Sequence, residues 1–148
     1  MRPYCLRTAL RALALVALPA CQPEPTGPVS VPLAQAASIR IFTVQTNSDW
    51  SSHIPLTVGY TVRLKVRLFT ASDREIAIPP HPLEMSFTVA PATVATATLA
   101  DSTLLMFDIA PVDTAGATGR LTITLKEPAT ATTKSFGPFD VLVHPFAP

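Results

Sequence analysis

Asp49-Trp50-Ser51-Ser52-His53 places a carboxylate, two hydroxyls and an imidazole within five residues. Those are the groups of nucleophilic hydrolysis, in which a base takes a serine proton while an acid holds the base in orientation. Such groups meet through tertiary structure and not through adjacency, and the chain contains no Gly-x-Ser-x-Gly turn to raise a serine for attack. The stretch therefore reads as a polar loop organised by an Asx turn, with Asp49 bonding the backbone just ahead of it. Nucleophile, base and oxyanion elements all lack a signature, so a non-enzymatic protein is expected.

His53, His81 and His144 are the only imidazoles, and no two of them form a His-x-x-x-His pair. A zinc or copper centre would have to be assembled from distant loops or strand ends, with Glu84 or Asp108 completing it. That is the alternative function, periplasmic metal handling; isolated histidines more commonly serve as solvated or capping groups. Two further features offer a ligand surface. Arg63, Lys65 and Arg67 form a cationic stripe suited to acidic headgroups, an anionic polysaccharide or an acidic partner. The same stripe also keeps a strand face soluble and discourages edge pairing without any ligand. Trp50 and Tyr60 are candidates for a small carbohydrate-stacking platform, with Trp50 as a plug for an open end of the fold as the other reading.

The background against which these residues act is narrow. A chain of 148 residues suits one domain. Its formal charge of +1 supplies no basic field for a phosphate backbone, so no nucleic-acid partner is expected. Charged residues make up 14%, below the roughly 25% of typical soluble domains, while 48% hydrophobic residues are too many for a disordered chain. Prolines number 16 against 5 glycines.

The first twenty residues explain part of that bias. Arg2, Arg7 and Arg11 precede the apolar run ALALVAL at residues 12–18, and Leu18-Pro19-Ala20-Cys21 follows. A charged start, a short apolar core and a small-residue cleavage site make an export signal, too short to span a bilayer. The segment resembles a bacterial lipoprotein signal, whose pattern is an aliphatic residue three places before the lipid-accepting Cys. Leu18 and Ala20 match; Pro19 departs from the usual small residue. Ordinary secretory cleavage after Ala20 is the rival, and Leu18 fits it less well. The resemblance implies removal of residues 1–20, a palmitate-bearing membrane anchor at Cys21 and, in a Gram-negative cell with Gln22 in place of Asp, the outer membrane. The mature chain would keep 128 residues, eight basic against ten acidic, for a net charge of −2. Cys5 leaves with the signal, so the body must fold without a disulfide.

The elements that must position the candidate residues come next. Residues 21–37 carry prolines, little charge and no sustained alternation, and read as a semi-rigid tether. The alternative there is a first strand around residues 29–33, confined to a sheet edge by Pro28 and Pro32. From residue 38 the pattern changes to β. Residues 61–70 alternate strictly, with Val62, Leu64, Val66 and Leu68 on one face and Arg63, Lys65 and Arg67 on the other. Weaker alternations at residues 39–44, 85–89, 94–99, 104–109, 120–126 and 139–144 bring the count to about seven strands, with turn residues between them. The first strand's apolar face is expected to pack against Leu121, Ile123 and Leu125 and against Phe107 and Ile109.

Leu56-Thr57-Val58-Gly59-Tyr60-Thr61-Val62-Arg63-Leu64 resembles the opening of bacterial immunoglobulin-like domains: hydrophobic, x, Val-Gly, x, Thr, then an alternating strand. The segment at residues 87–96, ending in Val94-Ala95-Thr96, and the Thr-rich strand after Gly119 are similar to later parts of the same family. The likeness covers roughly residues 54–126. It departs at the family's strand-C Trp, near Phe87 here, the only Trp being Trp50. What it implies is an all-β, immunoglobulin-like β-sandwich over residues 38–148. Together these readings describe a lipid-anchored envelope protein whose module serves as a binding or structural accessory, without a cofactor, toward a protein or polysaccharide partner.

Overall fold

The alternation at residues 61–70 becomes β4 (Val62–Phe69), which buries Leu64, Val66 and Leu68 and turns Arg63, Lys65 and Arg67 outward. Period-two patterning of branched and charged side chains leaves no other way to wet one face and dry the other. The computed structural model describes residues 29–77, 82–112 and 115–146. Residues 1–28, with the export segment and Cys21, lie outside the described residues, as does His81. No helix among the described residues is long and apolar enough to cross a membrane.

Ten strands form two sheets among the described residues: β1 (Val29–Ser30), β2 (Ser38–Thr43), β3 (His53–Thr57), β4, β5 (Glu75–Ala77), β6 (Glu84–Ala90), β7 (Ala95–Asp101), β8 (Met106–Pro111), β9 (Thr118–Glu127) and β10 (Thr132–His144). One sheet runs β1-β5-β4-β8-β7, with β2 on the free side of β4; the other runs β3-β10-β9-β6. All seven expected strands are present. In chain order they give β2-β4-β8-β7 in one sheet and β6-β9-β10 in the other, which is the A-B-E-D and C-F-G arrangement of the immunoglobulin sandwich.

Between the sheets lie Leu64, Val66, Leu68, Phe107 and Ile109 from one side and Leu121, Ile123, Leu125, Val141 and Val143 from the other, all buried. Each contributes about 1.5 to 3 kcal/mol, which is how a body without a disulfide offsets its chain entropy. Two expectations need correction. Phe107 and Ile109 do not face β4; they stand beside it in the same sheet, paired with Leu64 and Val62, and widen its wall. Val62 itself is only half-buried, because it lies at the rim. Phe87, at the position where the resemblance expects Trp, packs its ring on Phe107 at 4.8 Å between centroids.

The three strands that alternation did not signal are the short β1, β3 and β5; β1 and β3 are sheet edges, and β5 lies between β1 and β4. β3 is interrupted by Pro55, which lacks a donor and fits only where one side of the strand is free. Among the described residues it pairs with β10 alone, in parallel, from His53 opposite Asp140 to Thr57 opposite His144.

Part of the expected tether is docked on the body. β1 pairs in parallel with β5, the edge strand that Pro28 and Pro32 allow, and the chain then crosses to a single 3-10 turn at Leu33–Gln35. Leu33 is 1% exposed, and Ala36 is buried beside it. The crossing is held by polar groups as well. Glu127, 2% exposed, accepts hydrogen bonds from the Leu33 N–H at 3.3 Å and the Thr130 hydroxyl at 2.8 Å, while the Lys134 ammonium donates to the carbonyls of Ala34 and Ala36, each at 2.6 Å. Both bonds fall on Oε2, and a buried carboxylate is tolerated only when donors meet it in this way. The strap therefore closes the base of the sandwich, where β10 begins. The tip, where β10 ends, lies about 40 Å away along thirteen residues of that strand.

Candidate functional site

At the tip, β3 turns into β4 over four residues. The Tyr60 N–H donates to the Thr57 carbonyl at 3.0 Å, and Gly59 occupies φ +84°, the left-handed position that a type II turn reserves for glycine. The Val58 N–H donates to the His144 carbonyl at 3.1 Å, which fixes this turn against the end of β10. Two residues beyond His144, Phe146 lies over Tyr60, with centroids 5.7 Å apart and planes 19° from parallel. Both rings are half in water, Tyr60 at 54% and Phe146 at 55% exposed.

Trp50 arrives from the other side. Asp49 accepts the Ser51 N–H at 2.8 Å, the expected Asx turn, and the Trp50 N–H donates to the Ile41 carbonyl at 2.7 Å, so the loop is laid along β2. One part of the indole packs on the core and the rest forms a wall. With Tyr60 and Val62, that wall separates two clefts. One, of about 280 Å³, is bounded further by Thr43, Gln45, Thr46, Thr61 and Arg63; the other, of about 370 Å³, by Pro55, Thr57, Pro145 and Phe146. Val44 and Val112 are exposed at the same end of the sandwich.

The electrostatics of the tip are quiet. Arg63 reaches across to Asp108 on β8 with two hydrogen bonds of 2.8 Å. Those bonds hold the Asp108 carboxyl below its ordinary range against the opposing effect of desolvation, with the guanidinium charge adding to the depression; the same pairing raises Arg63. The cation at the cleft is thus neutralised in place.

The candidate ligand surface is divided by the structure. Trp50, Tyr60 and Arg63 come together at the tip. Lys65 and Arg67 lie further down β4, beside a separate hollow of about 120 Å³ shared with Glu75. Arg67 is occupied there: it donates to the Asn47 amide oxygen at 2.6 Å, stands 3.8 Å from Glu75 and covers the Phe42 ring at 4.4 Å. Arg40 does the same at the base end of that face, pairing with Asp73 and covering Phe69. Among the described residues, Lys65 alone of the stripe has no ion pair.

The polar loop does not assemble a triad. Asp49 is engaged with Ser51, whose hydroxyl oxygen accepts the Ile41 N–H at 2.8 Å, and His53 begins β3 with its Nδ1 3.2 Å from the Ser52 hydroxyl. His53 and His144 lie on the outer face of the same sheet, four positions apart in the β3–β10 register. Among the described residues no three His, Cys, Asp or Glu side chains converge; Glu84 is paired with Lys126 at 2.9 Å, and Asp108 with Arg63. A hollow of about 510 Å³ is lined by His53, Arg120 and Asp140 among others, but among the described residues no Trp, Tyr or Phe lines it, and its charges are solvated.

No family model matches the chain, and no curated protein matches it. The geometry of the tip therefore carries the functional argument. Sequence reasoning missed Phe146, whose signal is the His144-Pro145-Phe146 ending: a proline that stops the last strand, followed by an aromatic with no strand face left to occupy.

Proposed function

We propose that this chain is a non-enzymatic, lipid-anchored protein of a bacterial cell envelope whose immunoglobulin-like module holds a binding surface away from the membrane. The observation that carries the reading is the polarity of the sandwich. The N-terminal strap enters at the base, and Trp50, Tyr60 and Phe146 gather at the opposite tip. Seven residues, 22–28, separate Cys21 from β1, so the eight Cα steps from an acylated Cys21 keep the base within about 28 Å of the bilayer and point the tip outward. A single acyl chain gives only marginal attachment, whereas the multiply acylated cysteine of a lipoprotein anchors stably.

Metabolic labelling tests the anchor. Palmitate enters the wild-type protein and not the Cys21→Ser variant, and globomycin causes the precursor to accumulate. An unlabelled wild-type protein overturns the anchored reading.

A further inference from the structure

We infer that the tip binds a linear, uncharged polysaccharide, laid across the Trp50–Tyr60 wall with Tyr60 and Phe146 as its stacking surface; the inference rests on the binding-module reading above. Shape is the first argument. Pockets for compact small molecules run from about 300 to 1,000 Å³ and enclose most of the ligand. Here two clefts of about 280 and 370 Å³, one below that range and one at its lower end, lie side by side with a common wall and open to solvent, so an elongated ligand touches both.

The lining is the second argument. A pyranose ring has a faintly polarised C–H face that lies flat on an aromatic ring and an equatorial belt of hydroxyls that needs hydrogen-bonding partners. Tyr60 and Phe146 provide half-exposed aromatic surface, and Gln45, Thr46, Thr57 and Thr61 provide amide and hydroxyl groups along the two clefts. An acyl chain or an apolar peptide would leave that polar rim desolvated and unpaired.

Charge is the third. Arg63, the cation bordering the first cleft, is committed to Asp108 through two hydrogen bonds, and among the described residues no other Lys or Arg lines either cleft. A phosphorylated or strongly anionic polymer finds no free counter-charge. A neutral glycan asks for none.

Trp50 is the only tryptophan of the chain and stands in the shared wall, so its fluorescence reports occupancy directly. Cellotetraose and chitotetraose are titrated separately into the mature lipidated protein in liposomes, with calorimetry on the same samples. A saturable change in Trp50 emission is expected with at least one tetrasaccharide, with the matching monosaccharide at least about tenfold weaker. Tyr60→Ala weakens binding by about tenfold and Phe146→Ala by about threefold, the scale of one aromatic contact. Both side chains are exposed, and an unchanged unfolding midpoint separates lost binding from lost fold. The inference is overturned if neither sugar binds, if calorimetric binding leaves Trp50 silent, or if the double variant binds as well as wild type. It is also overturned if liposomes added in trans, and no sugar, shift Trp50; the tip then inserts into lipid. Palmitate incorporation is read on the same preparation. Label without sugar binding removes the glycan and leaves the anchor; sugar binding without label does the reverse.

Discussion

The two ends of this sandwich solve the same problem in opposite ways. At the base, the open gap between the sheets is sealed by the strap: Leu33 fills it, and Glu127 and Lys134 satisfy the strap's backbone groups. At the tip the gap is closed only in part by Trp50, and Tyr60 and Phe146 are left in water beside two clefts. A small domain gains stability from each apolar group it covers, and the aromatic surface left uncovered at one end while the other is sealed is what supports the proposed binding role of the tip. The base carries stability; the tip is where the proposal places recognition.

The largest expected effect breaks the base. Leu33→Ala removes a fully buried side chain and leaves a cavity beneath the strap, lowering stability by about 2 to 4 kcal/mol in urea unfolding. Little change there would mean that the strap is not part of the folded body. Glu127→Ala follows, at about 1 to 3 kcal/mol, because the Leu33 N–H and the Thr130 hydroxyl lose their buried acceptor. Amide exchange at Leu33 should accelerate in that variant while exchange in the middle of β9 stays slow.

The Arg63–Asp108 pair sharpens the contrast through pH. Asp108 has its carboxyl depressed in the folded state, so its contribution is present above the ordinary carboxylate range and is lost as pH falls through the lower folded value. The difference in urea midpoint between wild type and Asp108→Asn is therefore expected to be open at neutral pH and to close in strong acid. A gap that widened on acidification would contradict the pairing. Smallest of all is Phe146→Ala, expected to leave stability within about 0.5 kcal/mol, since the ring is half in water and stacks on the equally exposed Tyr60. A larger loss would make the tip a structural element like the base.

Alternation in the chain made seven strands legible because each long strand writes its burial on its own sequence: Leu64, Val66 and Leu68 against Arg63, Lys65 and Arg67 need no partner to be recognised. The Asx turn at Asp49 was legible for the same local reason. The short strands were not. β1 and β5 span two and three residues, too few for a period, and β3 carries a proline that argues against a strand until β10 is seen beside it. The docked half of residues 21–37 was hidden likewise, because Leu33 and Ala36 look like ordinary spacer residues until the sandwich base stands under them.

Local patterning, then, determined that this chain is a β-sandwich behind an N-terminal segment with the features of an export signal, since signals and strands are read over a few consecutive residues. Tertiary structure decided the rest: that Trp50, Tyr60 and Phe146 meet, that Arg63 is neutralised while Lys65 is not, and that a carboxylate at position 127 lies under the strap. Those facts depend on segments tens of residues apart being brought within a few ångströms, and nothing in a short window of sequence encodes which distant segment will arrive.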